Sequence, residues 1–508
     1  MKHCFTSWRQ SCLGLWAALV LVSGAQTAHA ATWTIQPDCT GQTRCFTHPQ
    51  ALYNWSAIAP GDVVQLMPDA QGTGWLSRLQ GAAALSIDLA RGTAQQHITV
   101  VAVNGAKLLQ GVNVSRSQFV DLIALDVSEN RVSANGVGSS AITIQGGSSD
   151  ISVQASRIHH ATAHGVNVTS TAGPRVSIGP NNGIYSNQFN GVAVRASGAT
   201  LVNGMSAISS QVYSNLIGAN GLHGVDVEAS YWRVSYNQVM VNGLNSGGSS
   251  GVHLFSRTDQ AGPDCDFNEV SYNHVSGQRD STLYDGNGIQ SDHFCDRNLI
   301  AFNVVWGNAG AGVSLIAGRG NIVALNTLYN NAADQNRAST PALRGELIVA
   351  SWADFCWNGY IDPASCKLPP GRASGNLIMD NLIQSNQAAV PAMLFNADAI
   401  DANRGNAQSV YPNLMFNNVG GANLRWGERN YTNAGDIDRV IGLSALGGGT
   451  LVEPPAFVDP ANPGPATQGL RLRTKPSLVG WDIGGLPDLL GAQAGPGDAF
   501  LGAYFTKP

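Results

Sequence analysis

One pattern limits what this chain can become: Gly, apolar, any, apolar, any, returning through the middle of the sequence. It reads Gly165-Val-Asn-Val-Thr169, Gly191-Val-Ala-Val-Arg195, Gly224-Val-Asp-Val-Glu228, Gly251-Val-His-Leu-Phe255, Gly288-Ile-Gln-Ser-Asp292 and Gly312-Val-Ser-Leu-Ile316. The copies are 26, 33, 27, 37 and 24 residues apart. A second signal, two asparagines separated by four residues, interleaves with it. It occurs at Asn268–Asn273, Asn298–Asn303, Asn321–Asn326 and Asn376–Asn381. Asparagine tolerates left-handed backbone at a turn, and its amide can bond to its own kind one repeat away. Each repeat is therefore expected to hold two or three short alternating strands that cannot bury their valines alone. Stacking the repeats buries those side chains in one continuous core.

Composition supports strands and tight turns over helices. Only 12% of the 508 residues are charged, against 59 glycines, about half the usual quarter of charged residues. A helical bundle needs Lys, Glu and Arg on its wet faces. Segments of helical period are missing between the strands, which argues against βαβ folds, and the repeats are shorter than propeller blades. The expectation is an all-β, single-stranded, right-handed parallel β-helix with loop excursions, over residues 31–450. Residues 451–508 are read as a C-terminal tail packing back on it.

The first thirty residues read as a signal peptide. Lys2 and Arg9 precede the apolar run Leu13 to Val22, and Ala28-His29-Ala30 fits the cleavage pattern. No later apolar run approaches a membrane span. The chain carries a net charge of −5 and no basic stripe, so nucleic acid is not an expected partner. A secreted or periplasmic monomer is expected. Six cysteines follow the leader, with expected pairs Cys39–Cys45, Cys265–Cys295 and Cys356–Cys366.

The chain resembles the right-handed parallel β-helix proteins of the pectate-lyase-like superfamily. The resemblance rests on the repeat, on Ala51 to Leu66 as a first rung, and on an ending similar to chondroitinase-B-like proteins. That ending runs from Pro455-Ala-Phe-Val-Asp-Pro460 through Leu470-Arg-Leu-Arg473 to Leu501-Gly-Ala-Tyr-Phe505. It implies a polysaccharide-active protein: a lyase, a hydrolase, a C5-epimerase or a plain binder. Chondroitinase-B-like enzymes use a Lys and an Arg with Ca²⁺. Here the lysines beyond the leader are Lys107, Lys367, Lys475 and Lys507, none on a central rung. The motifs of polygalacturonases survive only as Asp285-Gly-Asn-Gly288 and Leu222-His-Gly224, in the wrong order.

Alternation sends the two variable positions of each repeat outward. The first column reads Asn167, Ala193, Asp226, His253, Gln290, Ser314, and the second Thr169, Arg195, Glu228, Phe255, Asp292, Ile316. With rungs about 4.8 Å apart, Arg195, Asp226, Glu228, His253 and Asp292 share a patch roughly 15 Å long. A single outward polar residue is an ordinary solvated side chain. A cluster in so uncharged a chain marks a site. Three neighbouring carboxylates need a cation or basic partners, and Asp226, Glu228 and Asp292 are candidate Ca²⁺ ligands.

For β-elimination beside a uronate, Arg195, Arg257 or Arg279 would neutralise the sugar carboxylate. His253 or His293 would be the base and Tyr284 the acid. Asp292 joins His253 in the acid–base set. Arg257 is also a candidate substrate contact, with Trp352 and Trp357 stacking on sugar faces. For hydrolysis, Asp226, Glu228 and Asp292 would supply the two carboxyl groups. Asp292-His293 is an acid–base pair whose side chains both face outward only if the strand ends there.

Overall fold

A computed structural model of the chain describes residues 30–131, 138–245, 247–256, 265–281, 285–334, 344–351, 371–446, 448–474 and 502–504. The expected signal peptide up to residue 29, Arg257, Tyr284, Trp352, Trp357 and the Cys356–Cys366 pair lie outside these residues.

The chain is a right-handed parallel β-helix, with 38% of residues in strand and 6% in helix. Each turn contributes one strand to each of three long sheets, of 14, 13 and 11 strands. Pairing within them is parallel except for the closing strand Arg429–Tyr431, which runs antiparallel to Leu424–Trp426. The turn at Val166 shows the cycle. Ser149–Gln154 lies in the 14-stranded sheet, Arg157–His159 in the 11-stranded sheet and Val166–Val168 in the 13-stranded sheet. A small antiparallel hairpin, Ala199–Val202 with Met205–Ile208, stands off the coil.

The glycine of the first repeat is explained by contact. A Cβ on Gly165 would lie 2.6 Å from the Gly191 carbonyl oxygen. The same holds up the column: Gly191 against Gly224 at 2.7 Å, Gly224 against Gly251 and Gly251 against Gly288 at 2.6 Å. No side chain fits where successive corners press together so closely. The two apolar positions of each repeat point inward. Val166, Val168, Val192, Val194, Val225, Val227, Val252 and Leu254 are fully buried in one continuous core.

The Asn-x4-Asn signal is a strand of the 14-stranded sheet with a corner at each end. Asn268, before Glu269–Ser271, belongs to one ladder, and its amide oxygen accepts from the Trp232 backbone N–H at 2.8 Å. Its own N–H goes to Asn298, and that of Asn298 to Asn321. Asn273, after the strand, belongs to a second ladder, running from Asn182 through Asn215, Asn237, Asn273, Asn303, Asn326 and Asn381 to Asn413. A third, at the corner leading into the 13-stranded sheet, runs Asn187, Asn220, Asn242, Gln278, Asn308, Asn331. It ends on the buried carboxyl group of Glu346, which accepts from both the backbone and side-chain N–H of Asn331. In each ladder a buried backbone donor that sheet pairing leaves over finds its acceptor one rung away.

The disulfides Cys39–Cys45 and Cys265–Cys295 are present as expected. After the coil come a short helix, Ala434–Val440, and a tail that reaches back along it. Phe457, Leu470, Ala503 and Tyr504 pack with Val304, Leu382 and Leu414. Among the described residues, no helix is long and apolar enough to cross a membrane.

Candidate functional site

The first expected outward column is realised in the pairing of the 13-stranded sheet. Asn167 is opposite Ala193, Ala193 opposite Asp226, Asp226 opposite His253, His253 opposite Gln290 and Gln290 opposite Ser314. From the second column, Arg195, Glu228 and Asp292 reach the same place.

His253 is the centre. Its Nδ1–H donates to Asp226 Oδ1 at 3.0 Å, and its Nε2 lies 3.6 Å from Asp292 Oδ2. Asp226 also receives the Asn190 side-chain amide at 2.9 Å and an Arg195 guanidinium nitrogen at 2.7 Å. Arg195 turns Nε to Glu228 at 3.0 Å and another nitrogen to the Val194 carbonyl. Its donors are thus directed to protein acceptors, and it positions Asp226 and Glu228. The far carboxylate oxygen of Asp292 lies 2.6 Å from His293 Nδ1. The strand Asn287–Ser291 ends just before this pair, and His293 and Phe294 both have positive φ. That turn lets neighbours in sequence share one site.

One correction concerns exposure. Outward strand positions are expected to be solvated, yet Asp226 is 4%, His253 8% and Asp292 8% exposed. Rings explain part of this. His223 stacks on His253 at 4.1 Å, nearly parallel, and Phe255 flanks it at 5.4 Å. Arg195 and Glu228 remain about a quarter exposed.

Burial alone would push the His253 imidazole down. Hydrogen bonds and charge from Asp226 and Asp292 outweigh it and push it up to about 10. His253 is therefore an imidazolium at neutral pH. Burial opposes ionisation of Asp226 and Asp292 as well. Arg195 and the histidines hold Asp226 well below the usual carboxylate range, and His293 with His253 does the same for Asp292. His223 behaves oppositely. Its Nδ1 accepts the Ser250 backbone N–H at 3.0 Å, which fixes a neutral ring with the proton on Nε2. Burial, and then the charge of His253, push it down to about 3.

The residues do not fit Ca²⁺ as they stand. Asp226 and Glu228 share the Arg195 guanidinium, and Asp292 is engaged by two histidines. Among the described residues, the group whose ligand atoms come within 4.8 Å of one another is His223, Asp226 and His253. Imidazole lone pairs lie in the ring plane, and two stacked rings do not converge on one ion.

Arg279 stands exposed in the turn before the strand Asn287–Ser291, its carbonyl oxygen accepting from the Ser249 hydroxyl. Asp280 is turned inward to the backbone N–H groups of Gly248 and Asp285. Two contributors to the site were passed over in the sequence, Asn190 and the stacking role of His223. Both occupy the place just before the repeat glycine, where His164, Asn190, His223, Ser250 and Asn287 form a third polar column. Side chains in that column accept the next rung's backbone N–H, as His164 does from Asn190 and Asn190 from His223.

No protein-family model matches the chain, and no curated protein matches it. Solved structures do. The A-module of the Azotobacter vinelandii mannuronan C-5 epimerase AlgE4 is 14% identical, with a TM-score of 0.47 over 76% of this chain and 94% of that one. Pectate lyase Pel9A is 13% identical, with a TM-score of 0.39 over 94% and 96%. XylC in complex with xylose is 10% identical, with a TM-score of 0.48 over 93% and 98%. These are likenesses of chain path, and the functional reading rests on the groove residues.

Proposed function

We propose that the protein cleaves an acidic, uronate-containing polysaccharide by β-elimination, in the groove centred on His253. The observation that carries this is a buried imidazolium between Asp226 and Asp292, with Asp292 also engaging a second histidine. Elimination needs a positive group at the sugar carboxylate to acidify the adjacent C5–H, and a base to take that proton. Arg195 is turned to Asp226 and Glu228, and His253 to Asp226 and Asp292, so the positive group is the role expected for Arg257 or Arg279, while His253 fixes Asp292. His293, oriented by Asp292, is the base. The leaving oxygen needs an acid, the role expected for Tyr284. A C5-epimerase would return the proton to the other face with the same parts.

Hydrolysis is the second reading. It would use Asp226 and Asp292, on opposite sides of one ring, but both are held ionised, so the proton for the leaving oxygen would have to come from another group in the groove. The two disulfides fit export to an oxidising compartment, where a polymer substrate would be met.

The test is a panel of acidic polysaccharides with and without a chelator. Elimination yields an unsaturated uronate that absorbs in the ultraviolet, hydrolysis only new reducing ends, and epimerisation neither. Ultraviolet absorbance that persists in chelator supports the reading. Reducing ends without absorbance overturn it in favour of hydrolysis. Activity lost in chelator would restore Asp226, Glu228 and Asp292 as metal ligands.

A further inference from the structure

A second group of titratable side chains lies one corner away, on the 11-stranded sheet, and nothing in the cleft uses it. Asp126 Oδ1 accepts from His159 Nε2 at 2.8 Å. His159 Nδ1 lies 2.8 Å from His160 Nδ1. A carboxylate only accepts, so His159 in its neutral form carries its proton on Nε2. Its Nδ1 then accepts from His160, and His160 turns a basic Nε2 outward.

Tyr185 stacks on His159 at 5.2 Å and lies nearly at a right angle to the His160 ring. The register sets what covers its other face. His159 is opposite Tyr185, Tyr185 opposite Gly218, and Gly218 opposite Met240. One rung in the column thus has no side chain. It stays bare because a Cβ on Gly218 would lie 2.7 Å from the Met240 carbonyl oxygen. Two rungs span roughly 9.6 Å, enough for one ring between Tyr185 and Met240. Beside this gap is an open groove of about 320 Å³ lined by His160, Thr162, Ser186, Gln188, Ala219 and Asn245. Arg157, exposed, reaches the Tyr185 hydroxyl at 3.3 Å.

We infer that this corner is a carbohydrate subsite. It takes a pyranose residue on the bare face of Tyr185, hydroxyls toward His160, Gln188 and Asn245, and an acidic group beside Arg157. An aromatic face next to amide and imidazole side chains suits a ring that is apolar on its faces and polar at its rim. Gln188 is five residues before Ala193 in the cleft sheet, at most about 17 Å of extended chain. One oligosaccharide can therefore engage corner and cleft together. The inference rests on the polysaccharide reading, and makes Tyr185 a determinant of preference for longer substrates.

The test uses the full chain with galacturonate and mannuronate hexamers, and with the corresponding trimers. Two variants probe the corner. Tyr185→Ala removes the stacking face. Ala219→Tyr fills the groove at a left-handed position whose counterparts on other rungs already hold His160 and Val241. Both should weaken hexamer binding and lower kcat/KM on polymer roughly tenfold, a typical loss for an aromatic anchor. Turnover of the trimer that is cleaved should be unchanged, with an unchanged melting temperature as the control for folding. Full hexamer affinity in both variants, in a protein that cleaves the polymer, overturns the subsite and leaves the proposed function standing. A wild-type protein that neither binds nor cleaves any uronate hexamer overturns both.

Discussion

His253 shows how far the environment of a single residue can depart from its place in a repeat. By position it is an outward strand residue; by environment it is a buried cation between two carboxylates. Replacing it by alanine should lower turnover by roughly 10²-fold, because His253 fixes the Asp292 carboxylate that orients the base His293, and an acid–base group contributes on that scale. It should also destabilise the fold by about 1–3 kcal/mol, because Asp226 and Asp292 each lose one hydrogen-bond partner while keeping Arg195, Asn190 and His293. Asp292→Asn keeps the shape and should lower turnover with a smaller loss of stability. Turnover and urea denaturation of both variants check this. An His253→Ala protein as stable as wild type would mean that the imidazolium is not holding the carboxylates. Strand alternation made the column legible, since Asp226, His253 and Gln290 fall where a period of two puts them. Burial was not legible. It depends on the His223 ring stacking from the neighbouring polar column and on Arg195 folding back, which spacing does not encode.

At the scale of elements, the ladders decide whether a turn closes. Asn303 accepts the Asn273 backbone N–H at 3.0 Å, and its amide donates to the carbonyls of Val270 and Ala301 and to Asn326. Asn303→Leu should therefore strand a buried donor and cost about 1–3 kcal/mol, despite adding apolar volume. Asn303→Asp keeps the acceptor but removes the donors, and should fall between. Chemical denaturation midpoints give the order. The Asn-x4-Asn spacing announced these turns, but its two asparagines belong to different corners, a division visible only once the strands are placed. The pair formed by Asp296 and Arg372 left no trace in spacing. Arg372 is fully buried, reaches both Asp296 oxygens at 3.0 and 3.1 Å from 76 residues away, and lies over the Phe294 ring. Only the folded coil brings the two together.

For the whole molecule, the buried titratable groups set an optimum of pH. His164 and His274 are pushed down to about 4 and His223 to about 3, chiefly by burial. The unfolded chain binds those protons first, so stability falls as pH drops below 6.5. His253 is raised to about 10, and its contribution, complete below 6.5, is lost as pH rises toward 10. Glu346, pushed up to about 8 by burial, retains its proton longer in the folded state and adds to the loss between 4.5 and 8. Below 6.5 the three histidines outweigh Glu346, and above it nothing opposes the decline. The melting temperature should therefore peak near pH 6.5 and fall by a few degrees per unit on either side, at about 1.4 kcal/mol per pH unit for each net proton. A monotonic profile from pH 5 to 9 would contradict this set of charge states.

The ladders also bear on how such a chain can change length over evolution. Every asparagine in them bonds within its own rung or to an adjacent one, so a whole turn copied in tandem finds the same partners above and below it. Arg372 is different: it reaches past the turn that carries Arg319 to hold Asp296. A copy of residues 298–320 would separate that pair, whereas a copy of residues 182–214 separates nothing of the kind. The first duplication should melt below the second, and equal melting temperatures would show that Arg372 sets no limit. Growth by repetition is open along much of this molecule and closed where one arginine measures the distance between rungs.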